Sequence, residues 1–261
     1  MNKQLLALKA EYIKNKHSRI LWISFIAFSL APVFGGVFMF LMSEGNEISG
    51  VFKAKAELMS FEANWNSYLS LLSQAVGVGG VLIFGFVASW LFGREYSDGT
   101  AKDLLALPIS RTRIINAKFI YYIIWCLALV VANLLLGLLF GFLLNIPGMT
   151  KEIFMGNLKI YFITTGLILI LNTPVAFLAL IGKGYLAPLG FVALILVIAQ
   201  IMGALGFGNC FPWAVPGIYS GSGGKDLKDE LSLISYILLF ITGIIGYFST
   251  IWYWKYADQT K

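Results

Sequence analysis

GREYSDGTAKDLLALPISRTRIINAKF, residues 93–119, is the one long stretch of the chain where charge is dense and of both signs. Mostly apolar sequence flanks it on either side. Of the 261 residues, 59% are hydrophobic and 12% charged. Soluble domains carry roughly 45–50% apolar and about 25% charged residues. This composition excludes a soluble domain and predicts an all-α integral membrane protein. The quoted stretch is then a polar loop between two membrane crossings.

A membrane helix needs about 20 apolar residues. Six segments qualify, at about 20–42, 68–92, 118–144, 158–181, 185–207 and 231–254. None carries a charge near its middle, where Lys, Arg or Asp costs about 2.5–3.5 kcal/mol on insertion scales. The spans compose a single transmembrane domain over 1–261, with 1–19 as an arm before the first span. The apolar run after that arm is too long for a cleaved leader and has no small-residue cleavage pattern, so it reads as a retained helix. Asn172, Thr173 and Pro174 predict a kink or early end in the fourth span. Gly182-Lys183-Gly184 forms the tight turn into the fifth.

Placing the N-terminus in the cytoplasm puts thirteen Lys and Arg residues inside and six outside. That excess predicts cytoplasmic N- and C-termini. The net charge of +6 is accounted for by such loops, so no nucleic-acid partner is expected. Cys126 lies within an apolar run and Cys210 in a loop, which makes a disulfide between them improbable on depth grounds. No metal-ligand spacing is present.

Within the opening stretch, Gly93 is expected to release the second span and Gly99 to make a turn. Thr100 is positioned to cap a short helix over 101–107, with Asp103 completing a capping box. Leu104, Leu105 and Leu107 give that helix an apolar side, and Pro108 stops it. Ser110 is positioned to cap the next helix, which carries Arg111 and Arg113 into the third span. A helix this short is not stable alone. It reads as an orienting loop or, more specifically, as an element that docks to a cytoplasmic partner.

The order Glu95…Gly99-Thr100, then Leu107-Pro108-Ile109-Ser110-Arg111, then Lys118 resembles the cytoplasmic loop of ABC-2 type transporter permeases. The resemblance extends to the six-span layout. It implies a coupling helix seated on a separate ATP-binding cassette subunit, with Glu95, Gly99, Thr100, Pro108, Arg111 and Lys118 at the family positions. It also implies a second permease, identical or related, and a bacterial plasma-membrane location. No cofactor is expected in this chain, since ATP and Mg²⁺ would sit on the partner.

The arm contains Leu5, Leu6, Leu8, Tyr12 and Ile13 on one helical side, with Lys3, Glu11 and Lys14 opposite. It reads as an interfacial helix in contact with membrane lipids. In the resembled family such a helix also touches the ATPase. His17, the single histidine, reads as a surface residue. The loop over 43–67 is expected outside and partly helical over 53–61. The segment from Gly208 to Gly224 is rich in Gly, Pro and aromatics, and is expected at the outer rim as a short re-entrant or interfacial hairpin. Its Phe211-Pro212-Trp213-Ala214-Val215-Pro216 is similar to permeases of bacitracin export and lantibiotic immunity. The resemblance makes Phe211, Pro212, Trp213 and Pro216 candidates for a gate over the substrate route.

Intramembrane polar residues include Gln74, Asn133, Thr164, Thr165, Asn172, Thr173 and Gln200, none of them ionisable. Ion-coupled transporters usually place an ionisable group at depth, so energy is expected from a partner. Gly77, Gly79, Gly80 and Gly85, with Gly243 and Gly246, mark close helix packing, within one chain or between two permeases. No His/Asp/Glu cluster or nucleophile motif points to an enzyme. The reading is a permease subunit of an ATP-driven exporter of an amphipathic substrate, conceivably a peptide antibiotic or lantibiotic. The alternatives are a membrane scaffold without its own transport path and half of a secondary transporter.

Overall fold

In the computed structural model the described residues are 3–43, 62–101, 104 and 109–257. Among them, ten α-helices and one 3₁₀ turn account for the regular structure. Helix α1 spans Lys3–Asn15 and α2 Arg19–Ser43. Next come α3, Trp65–Ser97, and α4, Arg111–Leu143. The fourth crossing is divided into α5, Lys151–Leu171, and α6, Thr173–Ile181. Helix α7 is Leu186–Ala204, α8 Val215–Ser220, α9 Gly224–Asp229 and α10 Leu233–Tyr256. Six crossings are long and apolar enough to span a bilayer, with α5 and α6 counted together. The expected loop helix over 53–61 lies outside the described residues.

Helix α3 is the axis of the bundle. It touches α2, α4, α5, α6, α7 and α8. In its most apolar window 67% of residues are buried, against 22% for α2 and 17% for α7. Lipid supplies no hydrophobic drive between helices, so close packing must hold them, and small residues permit it. Gly77 faces Pro216 and Ser220, Gly80 faces Ile168, and Gly85 faces Val192 and Asn172. On α4, Gly137 and Gly141 receive Leu72 and Trp65 of α3. Only Gly79 of the 77–80 group meets open space. The remaining glycines therefore serve packing within this chain.

The 33 residues of α3 extend roughly 50 Å, well beyond a hydrocarbon core of about 30 Å. The sequence placed its end at Phe92, with Gly93 releasing the helix. Instead α3 continues to Ser97. A side chain at position 93 would strike the backbone of Gly184 and Tyr185, so the glycine admits the turn between α6 and α7. Helix α5 likewise begins at Lys151, where Thr150 accepts the Ile153 N–H at 3.2 Å. The fourth crossing breaks at Asn172, as Pro174 requires. The Thr173 hydroxyl lies 2.9 Å from Ile170 O and 2.5 Å from Gly243 O. Gly243 and Gly246 of α10 make room for this break, facing Ile170 and Pro174.

Contacts sort the connections into two ends. At one end α1 packs on α4, Gly93 meets Gly184, and Arg111 Nη1 donates to Lys255 O at 3.1 Å. At the other, Trp65 N donates to Pro147 O at 3.0 Å and Asn157 Nδ2 to Asn66 Oδ1 at 2.9 Å. Buried polar groups tie the spans between these ends. Asn133 Nδ2 donates to Phe28 O at 2.7 Å, and Tyr161 Oη donates to Val130 O at 2.9 Å.

Gly246→Val pushes a branched side chain into Pro174 and is expected to cost about 1–3 kcal/mol by overpacking. Gly79→Ala, in open space, should change stability by less than about 0.5 kcal/mol. Thermal unfolding of the two variants in the same detergent distinguishes them.

Candidate functional site

Four charges meet where α1 crosses the ends of α3 and α4. Lys118, in the second turn of α4, is 1% exposed, and Glu95, in the last turn of α3, is 0% exposed. Lys118 Nζ lies 2.9 Å from Glu95 Oε1, 3.1 Å from Glu11 Oε1 and 3.2 Å from Leu91 O. Its three donors thus have three acceptors. Glu95 also accepts from Lys14 Nζ at 2.5 Å and from the Thr100 hydroxyl at 2.6 Å. Two carboxylates and two ammonium groups make the cluster formally neutral. A buried charge needs a partner, and here each of the four has an opposite charge within 3.1 Å.

Helix α1 is oriented by this cluster. Ala7, Glu11 and Asn15 recur every four residues and are buried against the bundle, because i and i+4 share a helix face. Leu5, Leu6, Tyr12 and Ile13 point away and are exposed, which suits lipid contact. Arg94 Nη1 donates to Asn15 Oδ1 at 2.6 Å, and its guanidinium lies 4.5 Å from the Trp90 ring centre. The sequence put Glu11 on the polar side of an interfacial helix. The structure turns that side inward, toward Lys118. Glu11, Lys14, Asn15 and Arg94 are the members of this site that sequence reasoning missed. One signal was available: Glu11 is the single acid in an otherwise basic arm. His17 is exposed, and both cysteines are free.

The loop residues divide into a buried and an exposed set. Glu95 and Lys118 face the chain's own interior. Gly99 has φ +72° and ends the turn after α3. Thr100 directs its hydroxyl to Glu95, and its expected capping partner, residue 103, lies outside the described residues. Leu104 is half-buried, and its N–H donates to Thr100 O at 3.2 Å, the first turn of the expected short helix. Leu105, Pro108 and the rest of 105–108 lie outside the described residues. Ser110 stands at the N-cap of α4 but makes no side-chain cap bond, contrary to expectation. Arg111 and Arg113 are exposed beside it.

At the opposite end, α8 is seated among the spans. Helix α8 packs on Gly77, 12 residues into α3 and so about 18 Å along it. Such depth is tolerated when the backbone satisfies itself. Ile218 N donates to Ala214 O at 3.0 Å and Ser222 N to Gly217 O at 3.1 Å. Pro216 is buried, and Phe211, Pro212 and Trp213 are half-buried. The Trp213 ring meets Phe191 and Phe211 with centres 6.0 and 6.1 Å away, and it packs against all three apolar clusters. Beside it a cavity of about 220 Å³ opens between α3, α7 and α8, lined by Gly77, Leu196, Ala199, Gln200 and Trp213. The structure thus brings the loop residues and the aromatic segment to opposite ends of α3.

Comparison with known proteins identifies similarity over most of the chain. Residues 7–200 match the sequence pattern of the ABC-2 family transporter proteins. A bacitracin transport permease protein of Bacillus licheniformis is 32% identical over 180 residues, which cover 69% of this chain and 85% of that protein.

Glu95→Gln removes the carboxylate shared by two ammonium groups and is expected to destabilise the protein by about 3–5 kcal/mol. Glu95→Gln combined with Lys118→Met and Glu11→Gln should recover part of that loss, because the one charge of the cluster then left is the part-exposed Lys14. Detergent thermal melts of the single and triple variants provide the check.

Proposed function

Because the chain belongs to the ABC-2 family of transporter proteins, we propose that this multi-pass permease is the membrane half of an ATP-driven exporter of an amphipathic peptide antibiotic or lantibiotic. The relative from Bacillus licheniformis supports a peptide of the bacitracin kind as substrate, and export from the bacterial plasma membrane as a resistance mechanism. ATP and Mg²⁺ bind on a separate cytoplasmic subunit. The permease's own residues receive motion from it.

The buried Glu11–Lys118–Glu95 cluster carries this reading. The segment over 99–108 connects directly to Glu95 and Thr100 on one side and to Arg111 and Arg113 on the other. We assign this segment to docking, together with Leu104, Leu105 and Pro108. The exposed arginines supply charge to the partner's surface, while Glu95 and Lys118 act as positioning residues. A displacement of the loop is passed to α1, α3 and α4 together, because separating them would strand a buried charge. The end bearing Lys14, Lys16, Arg94, Arg111, Arg113 and Lys183 lies in the cytoplasm, in line with the positive-inside rule.

Motion of α3 reaches α8 through the close contact at Gly77. Phe211, Pro212, Trp213 and Pro216 then gate the route beside the cavity between α3, α7 and α8. That cavity combines apolar walls with Gln200, which suits a substrate that is apolar over most of its surface. The sparsely buried helices α2 and α7 leave faces for lipids and for a second permease.

Arg111→Glu, or deletion of 101–107, is expected to abolish most capture of the ATP-binding subunit and most export. Unchanged capture and transport would overturn the docking assignment. Trp213→Ala should lower export or resistance severalfold per molecule of permease in the membrane. Equal transport per molecule would reduce the tryptophan to an anchor.

A further inference from the structure

A second recess, not used by the reading above, opens at the end of the bundle opposite Glu95. Its volume is about 250 Å³, and six of its nine lining residues carry polar side chains, Asn66, Ser70, Ser73, Asn157, Ser220 and Lys228, beside Ile160, Gly221 and Gly224. A single structural water occupies about 30 Å³, so the space is several times larger than a water site. Three walls meet there, from the first turns of α3, the first two turns of α5 and the end of α8 with α9. In a chain that is 59% hydrophobic, hydroxyls, amides and an ammonium group gather here around one recess.

The hydrogen bonds already made leave a specific set of groups available. Ser70 Oγ accepts from Gln74 Nε2 at 3.1 Å, so its own proton remains to be donated. Asn66 Oδ1 is taken by Asn157, which leaves the Asn66 amide N–H groups as donors. Ser73 donates to Leu69 O and Ser220 to Gly217 O, so both present acceptor lone pairs. Asn157 Nδ2 is used twice, on Asn66 and on Ile153 O, which leaves Asn157 Oδ1 as an acceptor. Lys228 contributes the positive charge, and its ammonium lies 5.2 Å from the Tyr219 ring centre. No carboxylate lines the recess among the described residues.

One cation with two further donors fits an oxyanion, and three acceptors beside them fit hydroxyl groups. We propose that this recess binds a phosphate ester bearing hydroxyls, with Lys228, Ser70 and Asn66 holding the phosphate. Ser73, Asn157 and Ser220 accept from the alcohol portion. The position at the end of the bundle, open between transmembrane helices, favours a phospholipid headgroup, whose phosphate suits one cation with hydrogen-bond donors beside it. A soluble phosphate shares the chemistry and is separated by experiment. The proposal stands on the lining of the recess alone and not on the transport reading, so a failed export assay leaves it intact.

The test uses the full-length chain, delipidated in maltoside detergent. Phosphatidylglycerol, inorganic phosphate and a galactosyl diacylglycerol of the same acyl chains are titrated separately, with adducts followed by native mass spectrometry. Saturable phosphatidylglycerol binding is expected, weakened about tenfold by Lys228→Gln through loss of a charge-assisted bond. Lys228→Arg should retain it, and Ser70→Ala should weaken it less. Displacement of the lipid by inorganic phosphate, or phosphate binding alone with the same loss in Lys228→Gln, supports the phosphate site and identifies the soluble source. Equal binding of the galactosyl lipid, or an unchanged affinity in Lys228→Gln with folding intact, overturns the proposal.

Discussion

Lys118 is the charge on which the arrangement of the helix ends depends. An ammonium group that is 1% exposed is tolerable only because Glu95, Glu11 and Leu91 O surround it. Those acceptors come from two parts of the fold. Glu95 and Leu91 belong to the central helix, Glu11 to the arm before the first span. Desolvating an unpaired charge costs several kcal/mol, so the 13-residue α1, which supplies Glu11 and Lys14, is fixed against the bundle by this cluster. With Ala7, Glu11 and Asn15 turned inward, Leu5, Leu6, Tyr12 and Ile13 face outward. Lys14 and Thr100 complete the set by filling the remaining oxygens of Glu95.

From that fixed end, α3 extends the constraint through the protein. Its glycines meet different neighbours in succession, from the turn at Gly184 to Val192, Ile168 and finally Pro216. A helix packed this closely on so many sides moves as a body or not at all, since interiors are dense and resist local deformation. The loop that follows Ser97 and the inserted α8 are thus both seated on the same helix. The break at Asn172 and Thr173 divides one crossing in two. It is accommodated by Gly243 and Gly246 of the last span.

The fold class, the six crossings and the break before Pro174 were legible from composition and from the lengths of apolar runs. The loop motif from Glu95 to Lys118 was legible too, as a resemblance. The failures have physical causes. Gly93 looked like a terminator because a lone glycine reads the same whether it frees a turn or admits a neighbour's backbone. Glu11 looked solvated because its partner is 107 positions away. The segment from Phe211 to Pro216 was legible as a short re-entrant or interfacial hairpin, but its seat against α3 was not, because that contact joins residues far apart in the chain. What permits its insertion is a missing side chain at Gly77.

The amino-acid sequence by itself determined that this chain lives in a membrane, how often it crosses and where its charges concentrate, because those properties follow from the cost of placing polar groups in hydrocarbon. Only the tertiary structure decided which charges neutralise one another, which glycines are contacts and which polar side chains converge on a common recess. Such pairings join residues far apart in the chain, and neither periodicity nor spacing encodes them. They are settled by the requirement that every charge and backbone group withdrawn from water find its partner among the groups that packing brings within reach.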